Sequence, residues 1–179
     1  IFCQAEPEIV RIMFWNVENL FDPFDDSLKM DDEFTTSGNH GWTWKRFDQK
    51  IIHIYKVIVS GGWQPPDIIG LCEVENKWVL EQLTKITALS KYEYRIIHHN
   101  SPDLRGIDVA MLYLPQSFES LEIRSIPVTG FRENDDPTRD ILYVKCILCG
   151  KDTVNIFVNH WPSRYSGQVE TMHKRKSAA

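Results

Sequence analysis

Hydrophobic and polar positions alternate with two periods along this chain, and the switches between them mark its elements. Seven short apolar runs, several of them alternating with polar residues, predict strands over 9–15, 67–73, 93–98, 107–114, 119–126, 140–147 and 153–160. Between the first two runs the period lengthens to that of a helix. Trp44, Phe47, Ile51, Ile54, Tyr55 and Ile58 share one face of a segment spanning about 43–60, which ends at Gly61-Gly62. A second amphipathic helix follows Asn76, a good N-cap, and places Val79, Leu80, Leu83 and Ile86 on one side. The intervening DPFDDSLKMDDEFTTSGNHGW is an acidic loop whose carboxylate spacing fits no EF-hand.

The order is strand, helix, strand, helix and then mostly strands. That predicts a mixed sheet or a pair of sheets flanked by helices, not a doubly wound parallel sheet. Gly150-Lys151-Asp152 is a hairpin signal, so the last two strands are expected to pair antiparallel. There are no internal repeats and no low-complexity linker, and 179 residues suffice for one domain with a proper core. Hydrophobic and charged fractions of 42% and 25% argue against disorder. No apolar run reaches membrane-spanning length. The net charge of −5 means that any phosphate substrate must be met by local Arg or Lys or by a metal ion. Four cysteines make no disulfide framework at this length, and the Cys146–Cys149 pair reads as two incidental residues of a hairpin.

Candidate chemistry sits at strand ends. Val10, Ile12 and Phe14 are followed on their face by Asn16, Ile69 and Leu71 by Glu73, and Val154, Ile156 and Val158 by His160. Taken singly, each has a plain explanation as turn chemistry or a satisfied core group. Three strands ending alike point to one edge where Asn16, Glu73 and His160 converge. Asp108, directly after Arg105-Gly106, and Arg139 stand at strand entrances, which lie beside exits in antiparallel neighbours. Asn and Glu oxygens are hard ligands suited to Mg²⁺ or Mn²⁺. A neutral His exchanges protons near pH 7, and Arg grips phosphate oxygens in pairs. Such a set describes metal-assisted hydrolysis of a phosphoester.

The segments MFWNVENLFD (13–22), DIIGLCEVEN (67–76), SPDLRGIDVAMLY (101–113), TRDILYV (138–144) and FVNHWPSR (157–164) resemble, in order, the motifs of the endonuclease/exonuclease/phosphatase superfamily. Deoxyribonuclease I-like nucleases, sphingomyelinases and inositol-polyphosphate 5-phosphatases belong to it. The resemblance implies an α/β (α+β) fold, a four-layer α/β/β/α sandwich, and a divalent-metal-dependent phosphodiester hydrolase, a nuclease first, acting as a monomer on a phosphate ester such as DNA or RNA. A phosphomonoesterase, a phospholipid phosphodiesterase, or a non-catalytic binding module on the same fold are the alternatives. By position, Asn16 and Glu73 resemble the metal-site Asn and Glu, and His160 the strand-end His that contacts the scissile phosphate. Arg139 resembles a phosphate-orienting Arg, and Arg105 and Asp108 lie in a matching motif whose roles vary.

Two departures stand out. Cys72 occupies the position before Glu73 where many members carry Gln. The later Asp-x-Asn motif and the terminal Asp-His pair do not occur in the chain. Residues 6–179 are therefore expected to be the N-terminal portion of one such domain, incomplete at its C-terminus and inactive alone. The opening IFCQA reads as the end of a signal peptide cleaved after Ala5, which implies export, or equally well as a frayed strand or expression remnant.

Overall fold

The computed structural model describes residues 9–129 and 137–162. The signal-peptide reading of residues 1–5 lies outside them, as does the FVNHWPSR motif beyond Pro162. Seven strands lie among the described residues: β1 (Ile12–Leu20), β2 (Ile68–Val74), β3 (Arg95–His98), β4 (Asp108–Tyr113), β5 (Phe118–Ile126), β6 (Ile141–Leu148) and β7 (Asp152–Val158). Two α-helices lie among the described residues, α1 (Trp44–Ser60) and α2 (Lys77–Ile86).

The strands form two sheets. The first has order β1-β2-β4-β3, with β1 and β2 parallel and the other pairs antiparallel. The second has order β5-β6-β7 and is antiparallel throughout. Its β6–β7 hairpin turns through Cys149 and Gly150, both at positive φ, and Lys151 N donates to Leu148 O at 2.9 Å. This is the antiparallel pairing expected late in the chain. Among the described residues three of the four expected layers are seen: helices, first sheet, second sheet.

Each layer is built on one face of the patterned elements. Thr43 caps α1, accepting from Arg46 N, and Phe47, Ile51, Ile54 and Ile58 are buried against the first sheet. Asn76 caps α2, accepting from Val79 N, and Val79, Leu80 and Leu83 join the same core. Ile86, expected on that face, is exposed; Thr84 is buried instead, its hydroxyl satisfied by Leu80 O. The opposite face of the first sheet packs on the second through Cys72, Val109, Met111, Leu142, Val144, Cys146 and Val158. Gly70 sets how closely the sheets approach. A Cβ there would stand 3.2 Å from the Phe14 ring and 3.4 Å from a Val158 methyl, so its absence lets β7 run tightly across β2.

The strand ladders need one correction. Ile69 and Leu71 face the helices, whereas Val10, Phe14 and the Val154–Ile156–Val158 series face the gap between the sheets. Ile12 and Phe14 remain more than half exposed there, on an edge strand. Simple alternation would therefore send Asn16 and Glu73 to opposite faces of the sheet.

Candidate active site

Two backbone irregularities undo that separation. Cys72 pairs with Val109 and Val74 with Asp108, so Glu73 is the extra residue of a β-bulge, at φ 61°. The bulge turns its side chain out of the helix-facing series toward Asn16. On β1 the chain passes through Glu18 and Asn19 at φ 59° and 60° before pairing resumes at Leu20. Of five non-glycine residues with positive φ among the described residues, three lie here. Left-handed backbone is costly for such residues, and it concentrates where function demands a particular geometry.

The result is a compact polar cluster. Asn16 Nδ2 donates to Glu73 Oε1 at 2.9 Å, and His160 Nε2 stands 3.2 Å from the same oxygen and 3.4 Å from Asn16 Nδ2. Asn19 N donates to Glu73 Oε2 at 2.9 Å, while Glu18 N donates to Asn16 Oδ1 at 2.8 Å. Glu73 thus receives donors on both oxygens. Its carboxyl is held down at about 2, first by the bond from His160 and then, against its partial burial, by the Asn16 amide. It is a carboxylate at any physiological pH.

His160 is not a strand residue. β7 ends at Val158, and Asn159 and His160 continue in an irregular segment held by β2 and by Arg139. The Cys72 thiol donates to Asn159 O at 3.3 Å, and burial pushes that thiol up to about 12, so it keeps its proton. The residue that departs from the family pattern therefore anchors the segment carrying the histidine. Arg139 NH2 donates to His160 O at 3.3 Å, and its NH1 donates to Asp103 Oδ2 at 2.8 Å in a pair 7% exposed on each side.

The remaining predicted residues are placed elsewhere. Arg105 is exposed and lies 3.6 Å from Asp103 Oδ1. Asp108 is buried, 3.1 Å from His98 Nε2 and accepting from Ser101 N at 2.9 Å and from the Ser101 hydroxyl. Neither has a direct polar contact with Asn16, Glu73 or His160, so the structure brings together the three strand-exit residues and Arg139, not the strand-entrance pair. Two contributors escaped the sequence analysis. Asp103 neutralises Arg139, and Lys50 on α1 donates to Glu18 O at 3.0 Å, bracing the left-handed turn. Burial lowers the Lys50 ammonium, opposed by Glu18 and Glu73. Lys50 stands on the polar side of α1, where sequence alone gives every Lys a solvated role.

Hard oxygen donors from one carboxylate and one amide suit a small divalent cation that keeps most of its waters. Among the described residues no three His, Cys, Asp or Glu side chains are grouped so as to hold a metal ion.

Residues 11–179 match the profile of the Endonuclease/Exonuclease/phosphatase family. The chain belongs to that family. Two solved structures agree on the fold. A family protein from Bacteroides thetaiotaomicron superposes with a TM-score of 0.54 at 15% identity, covering 86% of this chain and 51% of its own. ANGEL2, a 2',3'-cyclic phosphatase, in complex with adenosine-2',3'-vanadate, gives 0.51 at 14% identity over 83% of this chain and 40% of its own. TDP2 from C. elegans gives 0.49 at 17% identity, over 83% of this chain and 34% of its own. The chain thus spans less than half the length of ANGEL2 and TDP2. No curated protein matches it in sequence. No helix among the described residues is long and apolar enough to cross a membrane.

Proposed function

We propose that the whole protein is a divalent-metal-dependent phosphodiester hydrolase, with nucleic acid as the first substrate class to test. The observation that carries this reading is the Asn16–Glu73–His160 cluster, built on a bulge and a left-handed turn in a chain of this family. Two of the three would hold Mg²⁺ or Mn²⁺: the Glu73 carboxylate, ionised throughout the working pH range, and the Asn16 amide oxygen. A cation bound there supplies charge neutralisation to the phosphate oxygens.

The chain's own residues do the rest. Hydrolysis requires a water oxygen to bond to phosphorus in line as the ester P–O bond breaks, so the phosphate must be held and a proton exchanged. His160 presents Nε2 at the cluster, the atom able to donate to or accept from a phosphate oxygen. Arg139 acts first on His160, fixing its carbonyl, because its guanidinium is committed to Asp103. The test is hydrolysis of a generic phosphodiester and of DNA by the whole protein, with and without chelator. Turnover lost in chelator and restored by Mg²⁺ or Mn²⁺ is expected; undiminished turnover in chelator would falsify the metal-dependent mechanism. If only terminal or cyclic phosphates or phospholipids are cleaved, the substrate class changes and the site does not. If nothing is cleaved, the fold serves as a binding module.

A further inference from the structure

One peptide group stands between an ammonium and the Glu73 carboxylate. Lys50 Nζ donates to Glu18 O at 3.0 Å, and Asn19 N donates to Glu73 Oε2 at 2.9 Å. The Glu18 carbonyl and the Asn19 N–H are the two ends of one trans peptide group, so they point in opposite directions. The negative end of its dipole therefore meets the cation, and the positive end meets the anion. The preceding N–H, that of Glu18, donates to Asn16 Oδ1 at 2.8 Å. Successive N–H groups of this turn thus serve the two side chains proposed to hold a cation, and Lys50 grips the carbonyl between them.

Glu18 and Asn19 lie at φ 59° and 60°, and two left-handed residues in a row persist only where the surroundings over-determine them. Three grips do so: Asn16 on Glu18 N, Glu73 on Asn19 N and Lys50 on Glu18 O. Asn16 and Glu73 must share their oxygens between this turn and a cation. The Lys50 bond makes no such division. Its helix is itself fixed, with Phe47, Ile51, Ile54 and Ile58 buried in the core. We infer that Lys50 is a positioning residue: it pins the left-handed turn through Glu18 O and so sets the N–H groups that aim the Asn16 and Glu73 oxygens. The contact stands on geometry alone; its effect on metal binding rests on the function proposed above.

The sign of the effect separates positioning from plain charge. An ammonium that acted on a cation at Glu73 only through space would repel it, and its loss would tighten binding. A positioning ammonium does the opposite, because its loss lets the aimed oxygens drift.

Lys50→Met keeps most of the stem and removes the ammonium. In ¹⁵N-labelled whole protein held in chelator, the Asn19 amide is expected to exchange with solvent about tenfold faster in Lys50→Met, with the amides of α1 unchanged. Lys50→Arg, which keeps a cationic donor, is expected to bring the Asn19 amide back to within about threefold of the parent. Mn²⁺ titrated into the three proteins is expected to bind about tenfold more weakly to Lys50→Met, with most of the loss restored in Lys50→Arg. Unchanged Asn19 exchange in Lys50→Met overturns the inference, as does Mn²⁺ binding that is equal to or tighter than the parent's. If Lys50→Met does not fold, a crystal structure of the parent decides: Nζ within hydrogen-bond reach of Glu18 O sustains the inference, and Nζ turned into solvent overturns it. A parent that binds no Mn²⁺ and cleaves no phosphoester, while its Asn19 amide still answers to Lys50, would sink the proposed function and leave the positioning contact standing.

Discussion

Glu73 and Glu75 are two residues apart on the way out of β2, and the fold treats their carboxyl groups in opposite ways. Glu73 sits on a bulge among donors: the Asn16 amide, the Asn19 N–H and the His160 ring, which together hold it at about 2. Glu75 is buried and, among the described residues, takes one donor, Asp22 N, at 2.6 Å. Burial, aided by Asp22, Asp31 and Asp26 nearby, pushes it up to about 8. Burial alone does not decide the outcome, because Glu73 is partly desolvated too. The number of donors per carboxylate oxygen decides it. One carboxyl is kept charged where a cation or phosphate chemistry can use it. The other is kept protonated as a structural pin between the acidic loop and the start of α2, where Asn76 Nδ2 also grips Asp22 Oδ2.

Removing the first-ranked donor should produce the largest effect. His160→Ala is expected to lower kcat of the whole protein by about 10²–10⁴-fold, the range for an acid–base group. The same variant should let the Glu73 carboxyl titrate closer to the ordinary range, measured by ¹³C NMR in chelator. A histidine that was only a packing element would cost stability and leave specific activity untouched. The sign for Glu73 follows from its depression: its contribution to stability is complete above the unfolded value near 4.5 and is lost as pH falls toward 2.

Exchanging charge for an isosteric amide sharpens the contrast between the two glutamates. Glu73→Gln keeps the size and one acceptor but removes the negative charge. Turnover should fall to about one-hundredth or less, since even outer partners of a metal ligand are worth 10–100-fold. Circular dichroism should show the fold retained. Glu75→Gln should leave turnover within about threefold, because Glu75 has no bond to Asn16, Glu73 or His160. Equal losses in both variants would mean that the two carboxyls serve one site, and the contrast drawn here would collapse.

Much of this site was legible in the sequence, though for a partly mistaken reason. The short apolar runs located the seven strands, and the strand exits nominated Asn16, Glu73 and His160, which the structure does bring together. Alternation along straight strands would have parted Asn16 from Glu73. What joins them is a bulge and a left-handed turn, and no hydropathy pattern announces a positive φ at Glu or Asn. Asp103 and Lys50 were invisible for a related reason. Each matters through a partner 36 or 32 residues away, and pairing at that range is decided by topology, not by local pattern. Arg105 and Asp108 show the converse: a local motif was recognised, while their partners, Asp103 for one and His98 with Ser101 for the other, lie outside the cluster.

The smallest expected effect tests the other half of the contrast. A carboxyl raised from 4.5 to about 8 is protonated in the folded chain and ionised in the unfolded one across that interval. The unfolded state then binds fewer protons, so stability falls as pH rises from about 4.5 toward 8 and levels off beyond it. Gln at this position still offers an oxygen to Asp22 N and has nothing to titrate. Glu75→Gln should therefore match the parent near pH 4.5 and be the more stable of the two, with the higher Tm, at pH 8. The melts belong in chelator, so that ions at Glu73 play no part. A parent Tm that is flat across this interval, or a Gln variant that is less stable at pH 8, would show that Glu75 is ionised in the fold. Its buried charge would then need a cationic partner in place of the three aspartates around it.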